Sequence, residues 1–197
     1  RETRSAETAK HLLAGTAGHL VTDGYAGYNG ACGDGKRTRV GCWAHARRKF
    51  YDARTSDSIR AHHALTLIGD LYDVERDAKH CGDDERLALR QDRAVPKLAE
   101  IGEWLFQTKA EVLPKSPLGQ AVDYALVNWE ALDRYTTNAS LAIDNNAAEQ
   151  ALRHWVIARR ISLGTRTPQG TRAFAILASV IETCRQQQRN AFEYLTA

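Results

Sequence analysis

The chain of 197 residues has no methionine, four cysteines and four prolines. Without a methionine it has no initiator, and its opening Arg1-Glu2-Thr3-Arg4 is neither a natural start nor a signal peptide. It therefore reads as the C-terminal part of a longer protein. The cysteines, at positions 32, 42, 81 and 184, are too few and too scattered for a secreted disulfide framework, and read as reduced thiols of a cytosol. Cys42 and His45 have the C-x-x-H spacing of half a zinc site, with Cys32 as a conceivable third ligand, but no fourth ligand follows at an ordinary spacing. No apolar run approaches the roughly 20 residues of a membrane span, so a soluble chain with no membrane partner is expected.

Net charge is only +3, but it is unevenly spread. Residues 1–54 carry 10 Lys and Arg against 5 Asp and Glu, residues 55–152 carry 10 against 17, and residues 153–197 carry 7 against 2. Basic flanks around an acidic middle suit a nucleic-acid face built from the two ends, with the middle turned away. Solvated helix faces with no partner would give the same counts.

Ser5 to Leu13 reads as a helix ended by Gly15 and Gly18, and His19 to Thr22 as a short strand. Asp23-Gly24 is an ordinary turn dipeptide, yet the C-terminal end of a buried strand is also where α/β folds gather their functional groups. Tyr25 to Asn29 opens a helix or turn, broken by Gly30, Gly33 and Gly35. A second strand, Thr38 to Cys42, runs into a helix from Trp43 to Phe50. On that helix Arg47, Arg48 and Lys49 fan around more than half of the circumference, so some face solvent or phosphate. His45 and Lys49, four apart, share a face. A lone helical histidine is ordinarily a hydrogen-bonded structural residue, but beside these cations His45 could position a phosphate.

From Thr55 to Ser140 the period is helical almost throughout, with breaks at Gly82 and at Pro114 and Pro117, and a kink or split at Pro96. Near position 144 the stretch Asp144-Asn145-Asn146-Ala147-Ala148-Glu149 starts another helix at Asn145 or Asn146. Glu149 falls on its first turn, where it is either the return partner of a capping box or a metal-binding carboxylate close to Asp144. That helix is expected to run to about Ala158. A basic loop through Arg159, Arg160 and Arg166 follows, and then an apolar helix from Thr171 to Arg185, most of which is expected to be core.

Four motifs stand in order: Thr22-Asp23-Gly24-Tyr25-Ala26-Gly27-Tyr28, Gly41-Cys42-Trp43-Ala44-His45-Ala46-Arg47-Arg48-Lys49-Phe50, Asp144-Asn145-Asn146-Ala147-Ala148-Glu149 and Ser179-Val180-Ile181-Glu182-Thr183-Cys184. From about Ser5 to the C-terminus the chain resembles the insertion sequence 66 family of bacterial transposases. The resemblance implies an α/β fold, mostly helical overall: a partial RNase H-like nuclease core interrupted by a large all-helical insertion. Residues 1–54 would supply part of the core and one acid, residues 55–140 the insertion, and residues 141–197 the return to the core with the Glu149 helix.

In the resembled family an Asp-Asp-Glu set holds two divalent ions for phosphoryl transfer on DNA. Asp23 matches the second acid and Glu149 the third, with Asp144 as a possible auxiliary metal ligand. The first acid would lie on an earlier strand outside this chain; Asp34 and Asp52 follow no plausible strand and are not assigned to it. Oxygen ligands imply Mg²⁺, or Mn²⁺ as a substitute. The implied DNA contacts are His45, Arg47, Arg48, Lys49, Arg153, Arg159, Arg160 and Arg166. The implied partners are transposon-end and target DNA, further copies of the chain, and other proteins of the same element, in the bacterial cytoplasm at the nucleoid. After Arg153 the chain departs from the family pattern of Pro and a Gly-Arg-Lys-Asn-like run, with His154 and Ala158-Arg159-Arg160-Ile161 instead. Taken alone, the chain is expected to lack activity. Two other readings compete: a non-catalytic DNA-binding or scaffolding remnant, and an unrelated helical interaction protein in which Glu149 only caps.

Overall fold

The computed structural model of the protein describes residues 5–196. Helix α1 (Ala6–Leu12) begins where the Ser5 hydroxyl accepts the Thr8 N–H. Strand β1 (Gly18–Thr22), helix α2 (Gly27–Cys32) and strand β2 (Arg37–Gly41) then form a βαβ unit. The strands pair in parallel, Gly18 opposite Arg37 and Thr22 opposite Gly41, as a helical crossover requires. The buried Arg37 ties the N-terminal loop to β2, donating to the carbonyls of Ala31, Leu13 and Thr16 at 2.8, 2.7 and 2.6 Å and pairing with Asp34 at 2.6 Å.

Helix α3 (Trp43–Ala53) follows β2 directly, and its buried residues Trp43, Ala46, Phe50 and Ala53 recur at helical spacing. The same logic builds α4 (Ser58–Asp77), α5 (Asp83–Leu89), α6 (Val95–Glu111), α7 (Pro117–Val127) and α8 (Trp129–Asp133). Stripes such as Ala61, Ala64, Leu67, Ile68, Leu71 and Val74 on α4, and Leu98, Ile101 and Leu105 on α6, close on one hydrophobic core. Val40 of β2, Leu132, Tyr135, Leu141 and Ile143 belong to that core too. Among the described residues β1 and β2 are the only sheet, and the architecture is mostly helical.

Several boundaries differ from the sequence reading. Pro96 does not split its segment, because α5 runs through a π-helical turn at Arg90–Ala94 into α6. Proline lacks an N–H and crowds the carbonyl four residues back, and the widened turn absorbs both effects. Gly30 lies inside α2, which ends at Gly33. Helix α9 (Asn146–Ile161) continues past Ala158, so Arg159 and Arg160 are helical. It ends where Gly164 N–H bonds the Arg159 carbonyl at 2.7 Å, with Leu163 in the left-handed region at φ 57°. Helix α10 (Pro168–Gln186) starts earlier than expected, capped by Thr167, and α11 (Ala191–Thr196) follows.

The chain divides into two compact units, the first ending at Asn146 and the second starting at Ala147. In the second, Trp155 of α9 meets Phe174 of α10 edge-on at 5.9 Å, and His154 Nε2 lies 3.7 Å from Glu182 Oε2. The expectation that most of α10 is core does not hold. Among the described residues of this unit Cys184 alone is buried, while Ile176 and Leu177 are exposed.

Candidate functional site

Asp23 stands just past β1, and its Oδ1 accepts the Tyr25 N–H at 3.1 Å. The turn role and the strand-end placement are thus both realised in one residue, and among the described residues its second carboxylate oxygen accepts no hydrogen bond. Gly24 is pressed against Tyr124 of α7: a Cβ here would sit 2.9 Å from the Tyr124 hydroxyl. Burial raises the Tyr124 pKa and the nearby Asp23 charge adds to this, while a hydrogen bond from the Gly24 backbone opposes it. The hydroxyl therefore stays protonated. Lys49 of α3 places its Nζ 4.8 Å from the Tyr124 ring centroid.

Beside this, the residues that launch α9 are docked on the start of α3. Trp43 N–H donates to the Ile143 carbonyl at 3.0 Å, and its indole N–H to the Leu132 carbonyl at 2.9 Å. The buried Cys42 thiol donates to Asn145 Oδ1 at 3.0 Å and lies 3.1 Å from His45 Nδ1. Burial is the main cause of its raised pKa, with Asp144 adding to the shift, so Cys42 is a protonated packing residue and not a nucleophile. Asp144 Oδ1 accepts the Asn146 N–H at 3.0 Å, and Oδ2 accepts Asn146 Nδ2 at 2.8 Å and the Tyr72 hydroxyl at 2.9 Å. Burial again leads the upward shift of Tyr72, with the Asp144 charge second.

The first unit therefore brings Asp23, His45, Arg47, Arg48, Lys49 and Asp144 onto the ends of β1, α3 and the turn before α9. Arg47, Arg48 and Lys49 are exposed, and among the described residues none of them pairs with a carboxylate. Cys32 instead lines a cleft of about 300 Å³ with Arg39, Asn128 and Arg134. Among the described residues no group of three or more His, Cys, Asp or Glu forms a metal cage. In the second unit Glu149 is the fourth helical residue of α9, and Arg153, Arg159, Arg160 and Arg166 are exposed. Glu182 has a lowered pKa, caused first by its hydrogen bond from Arg185 at 2.8 Å.

Tyr72 and Tyr124 were not singled out from the sequence as site residues. Each sits on an apolar helical stripe and reads there as core. The available signal was that a buried phenol needs a hydrogen-bond partner.

The family profile described as transposase IS66 family matches residues 1–173, a span that holds Asp23, the α3 cations, Asp144 and Glu149. The chain belongs to the IS66 family of transposases. It is 31% identical over 201 residues to the uncharacterized protein y4qI of Sinorhizobium fredii, covering 98% of this chain and 37% of that protein. It is also similar to y4jD and y4hP of the same organism, at 28% and 30% identity, covering 98% and 92% of this chain and 39% and 36% of those proteins. The IS66 chain thus spans less than two fifths of the length of these relatives. No solved structure matches it.

Proposed function

We propose that this IS66 chain carries the second and third acids of a DDE-type transposase, Asp23 and Glu149, and acts in metal-dependent cleavage and strand transfer of DNA. The observation that supports this best is the placement of Asp23. Within the family-matched span it directly follows a parallel strand, with one carboxylate oxygen free of hydrogen bonds among the described residues, in the same unit as a helix that presents three cations with no carboxylate partner among those residues. In this reading the βαβ unit is a piece of an RNase H-type core, and residues 55–140 are its helical insertion.

The donors fit Mg²⁺, which takes one or two carboxylates and keeps waters and substrate phosphates as its other ligands. Asp23 and Glu149 would hold the metal, which when bound would supply activation of the attacking oxygen and stabilisation of the leaving one. The chain's own contribution is positional. The Tyr25 N–H fixes the Asp23 carboxylate, and Arg47, Arg48, Lys49, Arg153, Arg159, Arg160 and Arg166 neutralise backbone phosphates, with His45 near them. Asp144, with three hydrogen bonds already accepted, serves better as the cap of α9 than as a ligand. A second reading, a non-catalytic DNA-binding scaffold, draws on the absence of a three-donor cluster among the described residues.

The test is a nicking and strand-transfer assay on the intact transposase with Mg²⁺ or Mn²⁺. Asp23→Ala and Glu149→Ala are each expected to lower the rate by roughly 10³-fold or more, and the double variant by no more than either alone, because groups acting as a unit are not additive. Charge reversal of Arg47, Arg48, Arg159 and Arg160 should weaken DNA binding and flatten its salt dependence. Unchanged cleavage in both acid variants, with DNA binding lost on charge reversal, would establish the scaffold instead.

A further inference from the structure

The helices between the two acid motifs do more than fill space. Two tyrosines, far apart in sequence and on different helices, each reach an acidic motif. Tyr124 of α7 packs on Gly24 so closely that a Cβ there would overlap its ring Cε2 and sit 2.9 Å from its hydroxyl oxygen. Tyr72 of α4 donates its hydroxyl to Asp144 Oδ2 at 2.9 Å, in the turn from which α9 departs. That turn is held at two further points, by Trp43 N–H on the Ile143 carbonyl and by the Cys42 thiol on Asn145. Gly41, at the end of β2, is similarly tight: a Cβ would meet Leu132 N of α8 at 2.9 Å.

We infer that the helical segment is a jig for the reaction centre, in which Tyr124 fixes the Asp23 turn and Tyr72, through Asp144, fixes the turn that launches the Glu149 helix. Both are positioning residues. Neither needs to touch DNA or metal, and the inference rests on the DDE-type reading above. The physical basis is rigidity. A carboxylate on a turn at a strand end is held by few contacts of its own, and a stiff ring and hydroxyl packed against the neighbouring backbone remove the remaining freedom. Groups that orient ligating or reacting carboxylates typically matter 10–100-fold to metal affinity or activity.

The experiment compares Tyr72→Phe, Tyr124→Phe and Asp144→Asn in the intact transposase. Each tyrosine variant keeps the ring and removes only the hydroxyl, so the fold should survive. Single-turnover cleavage at saturating DNA is expected to fall 10–100-fold in each, with DNA affinity within twofold of wild type and the melting midpoint nearly unchanged. Tyr72→Phe combined with Asp144→Asn should be no worse than either alone. Amide exchange at Gln150 to Arg153, in the second turn of α9, should speed up in Tyr72→Phe and stay unchanged in Tyr124→Phe.

Wild-type cleavage rates in both tyrosine variants, or rate losses that follow DNA affinity or melting, overturn the inference. If wild-type protein shows no metal-dependent cleavage, the DDE-type reading falls by itself. The Tyr72 tether is then judged by exchange alone, with accelerated exchange sustaining it and unchanged exchange overturning it.

Discussion

Arg90 is 1% exposed, yet nothing in its sequence surroundings distinguishes it from the solvated arginines nearby. In the structure its guanidinium lies between α4 and the segment after α8, paired with both oxygens of Glu75 at 2.7 Å and donating to the carbonyls of Tyr135, Asn138 and Leu141. Its backbone sits in the π turn that Pro96 follows. A buried cation is tolerable only when its donors are satisfied, and removing it strands the partner carboxylate. Arg90→Met is therefore expected to cost about 3–5 kcal/mol of stability in urea unfolding near pH 7. Conservative loss of a surface cation such as Arg76, which is 71% exposed and paired only with Asp73, should cost well under about 1 kcal/mol. Sequence spacing put both arginines on helices, and only tertiary packing distinguishes them.

Helix starts carry their signal in single residues, whereas helix ends and burial do not. Asp57 before α4 and Ser116 before α7 are residue types that favour a cap, accepting the N–H of Arg60 and of Gly119, both at 3.0 Å. Asp57→Ala should destabilise the protein by about 1 kcal/mol at neutral pH. Hydrogen bonds from the Arg60 backbone and then its side chain hold the Asp57 carboxyl below its ordinary range. A depressed pKa gives a contribution fully present above the unfolded value of about 3.9 and lost as pH falls through the folded one. The melting difference between wild type and Asp57→Ala should therefore narrow between pH 5 and pH 3. The end of α9 was less legible because Leu163, not a glycine, takes the left-handed position. Gly164, also in the left-handed region at φ 78°, follows it and closes the helix, three residues beyond its last helical residue.

At the scale of the whole molecule, the residues of the hydrophobic core all lie between Val40 and Ile143. A chain ended after Asn146 is expected to keep a cooperative thermal transition, followed by circular dichroism. The piece from Ala147 onward should show little helix alone, because among its described residues only Cys184 is buried, and isolated helices of this length are marginal in water. A cooperative melt of that piece alone would show that its apolar face closes on itself. Among the described residues no helix is long and apolar enough to cross a membrane.

Local chemistry by itself determined the two short strands, the helical middle, the exposed cations of α3 and the family, because strand runs, turn residues and ordered motifs are all written in short stretches. The parallel pairing of the strands came from the structure. Asp23 and Glu149 each sit in a contiguous motif within the family-matched span, so they could be singled out from short stretches as candidates. Only the tertiary structure decided that Tyr72 and Tyr124 leave their apolar stripes to reach Asp144 and Gly24, and that Arg90 is a core residue. Those outcomes depend on contacts between residues tens of positions apart. Local sequence sets what a side chain can donate or accept, but the packing of distant helices chooses its partner.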